Sequence, residues 1–108
     1  MTSPKTVQIG NLSVSNAAPL TIIAGPCVME SRDHAFHMAG ALANLAKELD
    51  VGLIYKTSYD KANRTSVDSP RGLGLDDALP IFSELKSEFG CAVLTDVHSP
   101  EDLSLIHI

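Results

Sequence analysis

Between positions 56 and 66 the chain reads Lys56-Thr57-Ser58-Tyr59-Asp60-Lys61-Ala62-Asn63-Arg64-Thr65-Ser66, which sets three cations, an amide and four aliphatic hydroxyls directly after an apolar run. Such polar density suits an anion. Arg64 offers a planar fork for two phosphate oxygens, Lys56 and Lys61 supply compact charges, and the hydroxyls add neutral hydrogen bonds. Residue types alone also allow a solvated loop, since loops are polar by default. Two further groups bear on chemistry: Cys27 with Glu30, and Asp96 with His98.

The elements that must position these groups follow from periodicity. Residues 7–14 alternate apolar and polar on both sides of Gly10-Asn11, which predicts an N-terminal hairpin. Residues 20–24 form a short β-branched run stopped by Gly25-Pro26, as expected of a buried strand. Ser31 is placed to cap a helix whose apolar stripe runs through Ala35, Met38, Ala39, Leu42, Leu45, Ala46 and Leu49, ending near Asp50. Residues 51–56 read as a second strand, and the long connection up to Gly74 reads as functional. Leu75, Ala78, Leu79, Phe82, Leu85 and Phe89 make a second stripe ending at Gly90, with Pro80 expected to displace the helix start or kink it. Residues 91–96 are a third strand. Ser99-Pro100-Glu101-Asp102 signals a further helix that the chain is expected to stop too early to form.

Alternating β and α elements imply parallel strands joined by right-handed crossovers. A flavodoxin-like sheet would be nearly complete at 108 residues, whereas a (β/α)8 barrel needs roughly 250 and would be less than half built. In a barrel, Cys27, the segment 56–66, and Asp96 with His98 would stand at the C-terminal ends of three successive strands, over one mouth.

Composition narrows the classes. With 44% hydrophobic and 19% charged residues the chain is globular, and its net charge of −5 argues against a nucleic-acid or membrane-surface binder. No apolar run approaches the roughly 20 residues of a spanning helix and no signal peptide is evident, so a cytoplasmic location is expected. In that compartment Cys27 and Cys91 are expected to remain separate thiols.

Lys61-Ala62-Asn63-Arg64-Thr65-Ser66, preceded by Lys56-Thr57-Ser58-Tyr59-Asp60, resembles the signature of the 3-deoxy-D-manno-octulosonate 8-phosphate synthases. Ala24-Gly25-Pro26-Cys27 and Thr95-Asp96-Val97-His98 extend the resemblance over residues 5–102. It implies the N-terminal part of a TIM barrel, comprising the hairpin and three βα units. The implied transferase condenses phosphoenolpyruvate with D-arabinose 5-phosphate in lipopolysaccharide biosynthesis; the part spanned here would be inactive alone.

The resemblance also implies roles. Asn63, Arg64, Thr65 and Ser66 would bind arabinose 5-phosphate, with Arg64 and Thr65 on its phosphate. Lys61 would lie between the two substrates, and Lys56 would face phosphoenolpyruvate. Asp96 would accept from sugar hydroxyls, and His98 would position substrate. Some members carry cysteine at the Cys27 position as a metal ligand and others asparagine, so Cys27 implies a divalent Zn, Fe, Mn or Co whose other ligands lie outside the segment. Cys91, at the opposite end of its strand, would be core. A homotetramer is implied for the full-length enzyme.

Asp68 and Pro70 depart from the family's usual residues. Residues 103–108 fail the pattern and read as a non-native tail, similar to a translated sequencing-adaptor remnant. The related 3-deoxy-arabino-heptulosonate 7-phosphate synthases typically read Lys-Pro-Arg-Thr-Ser where this chain has Ala62-Asn63 in place of the proline. That family, and a small flavodoxin-like phosphate-binding module, are the alternatives.

Overall fold

A computed structural model describes residues 4–60 and 72–107. The hairpin forms from β1 (Val7–Ile9) and β2 (Leu12–Val14), antiparallel, with Val7 opposite Val14 and Ile9 opposite Leu12. Gly10 has φ +56° while Asn11 does not enter the left-handed region. A positive φ at the first central residue alone is the type II′ pattern, which suits the twist of the flanking strands.

The main sheet is parallel and ordered β3 (Thr21–Ala24), β4 (Gly52–Lys56), β5 (Ala92–Leu94). Ile23 pairs with Ile54 and Ile54 with Ala92. Between the strands run α1 (Arg32–Leu49) and α2 (Leu75–Phe89), which pack against each other and against β4 and β5. Flavodoxin-like sheets reverse strand order and place successive helices on opposite faces. Among the described residues neighbours in sequence are neighbours in the sheet and both helices share a layer, which is not that topology.

Ser31 caps α1 by accepting from the His34 N–H at 3.0 Å, and Asp50 closes it in the left-handed conformation. Its buried positions are Ala35, Ala39 and Ala46, with Met38 and Leu42 partly covered. Leu45 and Leu49, expected in the stripe, are exposed. At about 100° per residue Leu45 falls on the flank of the buried face, and Leu49 lies at the helix end. In α2, Ala78, Ile81, Phe82 and Leu85 are buried, and the helix starts at Leu75 and runs through Pro80. Pro80 is exposed, and so is Asp76, whose carbonyl it leaves without a helical donor.

The last helix also differs from expectation. α3 (Pro100–His107) does form, with the Asp102 N–H donating to Ser99 Oγ at 3.2 Å. Ile106 rests against the core and anchors its far end.

The core lies on the helical side of the sheet, where Tyr55 meets Met29, Ala35, Ala39, Phe82 and Leu85. On the other side Ile54 is buried, while Ile23 at 58% and Leu94 at 43% remain exposed. Among the described residues no helix is long and apolar enough to cross a membrane.

Candidate active site

Parallel strands deliver their C-terminal ends to one edge of a sheet, and of the predicted groups Cys27, Lys56, Asp96 and His98 lie there. Gly25 turns the chain away from β3 against the backbone of Lys56. A Cβ on Gly25 would sit 1.9 Å from the Lys56 carbonyl oxygen, so only glycine permits this approach. Beyond it the ladder resumes as a bridge between Val28 and Ser58. The Ser58 N–H donates to the Cys27 carbonyl at 3.4 Å, and the Met29 N–H donates to the Ser58 carbonyl at 2.8 Å. On the other flank, the Thr57 N–H donates to the Leu94 carbonyl at 3.2 Å. Residues 56–58 are thus clamped between the β3 and β5 loops.

At this edge Ser58 Oγ donates to Asp96 Oδ1 at 2.6 Å, and Lys56 Nζ stands 3.9 Å from the same oxygen. Desolvation pushes the Asp96 carboxyl upward, but the Ser58 hydroxyl, its own backbone, Lys56 and His98 outweigh that and hold it below the ordinary carboxylate range. Asp96 is therefore an anion at neutral pH. The 3.9 Å approach of two part-exposed groups adds little stability by itself. Its effect is to set a cation and an anion side by side at the sheet edge.

His98 Nε2 lies 3.0 Å from the Asp60 carbonyl oxygen. A carbonyl only accepts, so Nε2 carries the hydrogen, and in the neutral ring Nδ1 is left to accept. The His98 backbone N–H donates to Tyr59 Oη at 3.2 Å, and Tyr59 donates in turn to Asp102 Oδ2. Ser58 and Tyr59 lie within the polar segment 56–66 but take no individual role from it, and Asp102 lies outside it. Ser58 was legible, since alternation past Lys56 returns it to the same side of the strand; Asp102 signals only a helix start.

Lys61, Asn63, Arg64, Thr65 and Ser66 lie outside the described residues. The chain re-enters beside the same edge. The Leu73 N–H donates to the Met29 carbonyl at 3.2 Å and the Gly74 N–H to the Tyr59 carbonyl at 2.9 Å. Gly72, at φ +108°, has no room for a side chain against the Tyr59 carbonyl.

Cys27 and Cys91 are both free thiols. Cys27 is exposed at the site edge, whereas Cys91 packs against the core and burial pushes its thiol pKa up. Glu30 stands 4.0 Å from His34 Nδ1 on α1. Among the described residues no three or more His, Cys, Asp or Glu side chains stand close enough to hold an ion. Cys27 offers a single donor, so these residues do not by themselves make a metal site.

Comparison with known proteins finds close relatives of the chain. The chain is 54% identical over 106 residues to the 2-dehydro-3-deoxyphosphooctonate aldolase of Brucella ovis, and equally to those of Brucella melitensis and Brucella canis. Each alignment covers 98% of this chain and 38% of the relative, so the chain spans about two fifths of the length of the curated relatives it matches. The model of the DAHP synthetase I family matches residues 4–107. With nearly its whole length matched, the chain belongs to the DAHP synthetase I family.

Proposed function

We propose that the protein of which this chain is a part condenses phosphoenolpyruvate with D-arabinose 5-phosphate and water, giving 3-deoxy-D-manno-octulosonate 8-phosphate and inorganic phosphate in lipopolysaccharide biosynthesis. The observation that carries the reading is the joint placement of Lys56, Ser58 and Asp96 at the C-terminal edge of a parallel sheet, in a chain 54% identical to proteins named for the phosphooctonate. The sheet is read as the opening part of a (β/α)8 barrel, whose remaining strands would face Ile23, Ile54 and Leu94. A chain of this span alone would be inactive. The complete protein is proposed as a cytoplasmic homotetramer with no nucleic-acid or membrane partner.

In this reaction C3 of phosphoenolpyruvate forms a bond to the aldehyde carbon, whose oxygen takes a proton. Water adds at C2, and the C2–O bond breaks to release phosphate. Lys56 supplies charge for the enolpyruvate side. Asp96, ionised and aimed by Ser58 through Oδ1, has Oδ2 to accept a sugar hydroxyl. His98, with Nε2 committed to a carbonyl, positions substrate rather than shuttling a proton from that nitrogen. Lys61, Asn63, Arg64, Thr65 and Ser66 are assigned to the pentose phosphate on the motif. Metal dependence rests on Cys27 alone, as one donor of a set these residues do not complete, and no step is assigned to an ion.

Product analysis of the full-length protein tests the reading. Turnover of phosphoenolpyruvate with arabinose 5-phosphate and not with erythrose 4-phosphate supports it. The reverse preference replaces it with heptulosonate synthesis.

A further inference from the structure

Tyr59 links several parts of the site edge and has no role in the reading above. Its ring is buried, 3% exposed, and meets the His98 imidazole edge-on at 5.2 Å and 62°. Its hydroxyl accepts the His98 backbone N–H and donates to the Asp102 carboxylate on α3, and its carbonyl accepts the Gly74 N–H. One side chain therefore joins the β4 loop to the β5 loop and to the helix that follows. Ring packing alone needs no hydroxyl. The hydroxyl adds two directional bonds, and the acceptor it donates to is ionisable, which makes that bond stronger than a neutral one.

We infer that the Tyr59 hydroxyl, seated on Asp102, is a positioning group that holds His98 and the adjoining Asp96 in register with Lys56 and Ser58. Burial, followed by the Asp102 carboxylate, pushes this hydroxyl up to about 12, so it remains a neutral donor at any working pH. The inference deepens the proposed function and rests on it for its kinetic consequences, while its structural content stands on the hydrogen bonds alone.

The test uses the full-length protein and two readouts, steady-state kinetics and hydrogen exchange at the His98 amide. Tyr59→Phe keeps the ring and is expected to lower kcat about tenfold, to change KM for phosphoenolpyruvate less than about twofold, and to speed His98 exchange about tenfold. Asp102→Asn keeps an acceptor for the hydroxyl but removes its charge, so its losses in both readouts should be clearly smaller than those of Asp102→Leu, which should reproduce Tyr59→Phe. The double variant Tyr59→Phe with Asp102→Leu should be no worse than either single one, since both remove one linkage. Unchanged His98 exchange in Tyr59→Phe overturns the inference, as do additive losses in the double variant or a loss in Asp102→Asn equal to that in Asp102→Leu. If Tyr59→Phe does not fold, the contrast between the two Asp102 variants decides. Should the wild-type protein lack synthase activity, the proposed function fails, and His98 exchange still decides whether the hydroxyl holds this loop.

Discussion

At the scale of single residues, Asp96 is held as an anion chiefly by the Ser58 hydroxyl acting against desolvation. A depressed folded-state pKa means that the tie stabilises the fold fully above the ordinary aspartate value of about 3.9 and is lost as pH falls through the lower folded value. Ser58→Ala is expected to raise the Asp96 pKa, which a carboxyl NMR titration of the full-length protein would read directly; an unmoved pKa would remove Ser58 from the site. Arg64→Ala should weaken arabinose 5-phosphate roughly ten- to a hundredfold while sparing phosphoenolpyruvate, because it deletes a charge-assisted contact worth about 1.5–3 kcal/mol. Equal losses for both substrates in isothermal titration would reassign the arginine. Cys27→Ala should reduce the divalent metal that co-purifies with the full-length protein, measured by elemental analysis. Unaltered metal content would rule out a ligand role. The placement of Lys56 and Asp96 at one sheet edge was legible because motif and strand end coincide. Tyr59 and Asp102 were not, since they lie 43 positions apart and only the fold brings them together.

At the scale of elements, the hairpin, all the strands and both long helices could be read from periodicity, and the misreadings have physical causes. Counting apolar positions finds the stripe of α1 but cannot tell its centre from its flank, so it includes Leu45 and Leu49, which are exposed. Pro80 removes one backbone hydrogen bond of α2 without delaying its start at Leu75, and the Asp76 residue whose carbonyl loses its donor is exposed to water. The need for glycine at position 25 is invisible in sequence, because it comes from the Lys56 backbone across the sheet. Gly25→Ala is therefore expected to destabilise the full-length protein by about 3 kcal/mol or more, since backbone must move to admit the methyl group. Gly10→Ala meets open space and should lose only the roughly 1–2 kcal/mol of a left-handed alanine. Urea midpoints of the two variants give the comparison; equal losses would mean that the Gly25 turn relaxes easily.

At the scale of the whole molecule, the chain exposes 7297 Å², against about 5,800 Å² for a compact monomer of its 11.5 kDa mass. Its radius of gyration is 15.2 Å, where a compact chain of this length has about 13 Å. The sheet is covered on one side only, with Ile23 and Leu94 exposed on the other. Expressed alone, residues 1–108 should aggregate or melt without a cooperative transition, and differential scanning calorimetry would show it. A sharp two-state melt of a monomer would mean that the helical layer suffices. Sheet order was not fixed by periodicity, which both barrel and flavodoxin topologies satisfy; it took the pairing of β3 with β4 and β4 with β5 to separate them.

That nearest-neighbour pairing has a consequence for how the protein is made. Each strand docks on the one synthesised just before it, with a single helix intervening, so no element needs a partner still inside the ribosome before it can pair. Assembly can then proceed vectorially, from the N-terminus outward. The face bearing Ile23 and Leu94 gains no cover at any step of this order, so its apolar side chains stay in contact with solvent while the strands pair.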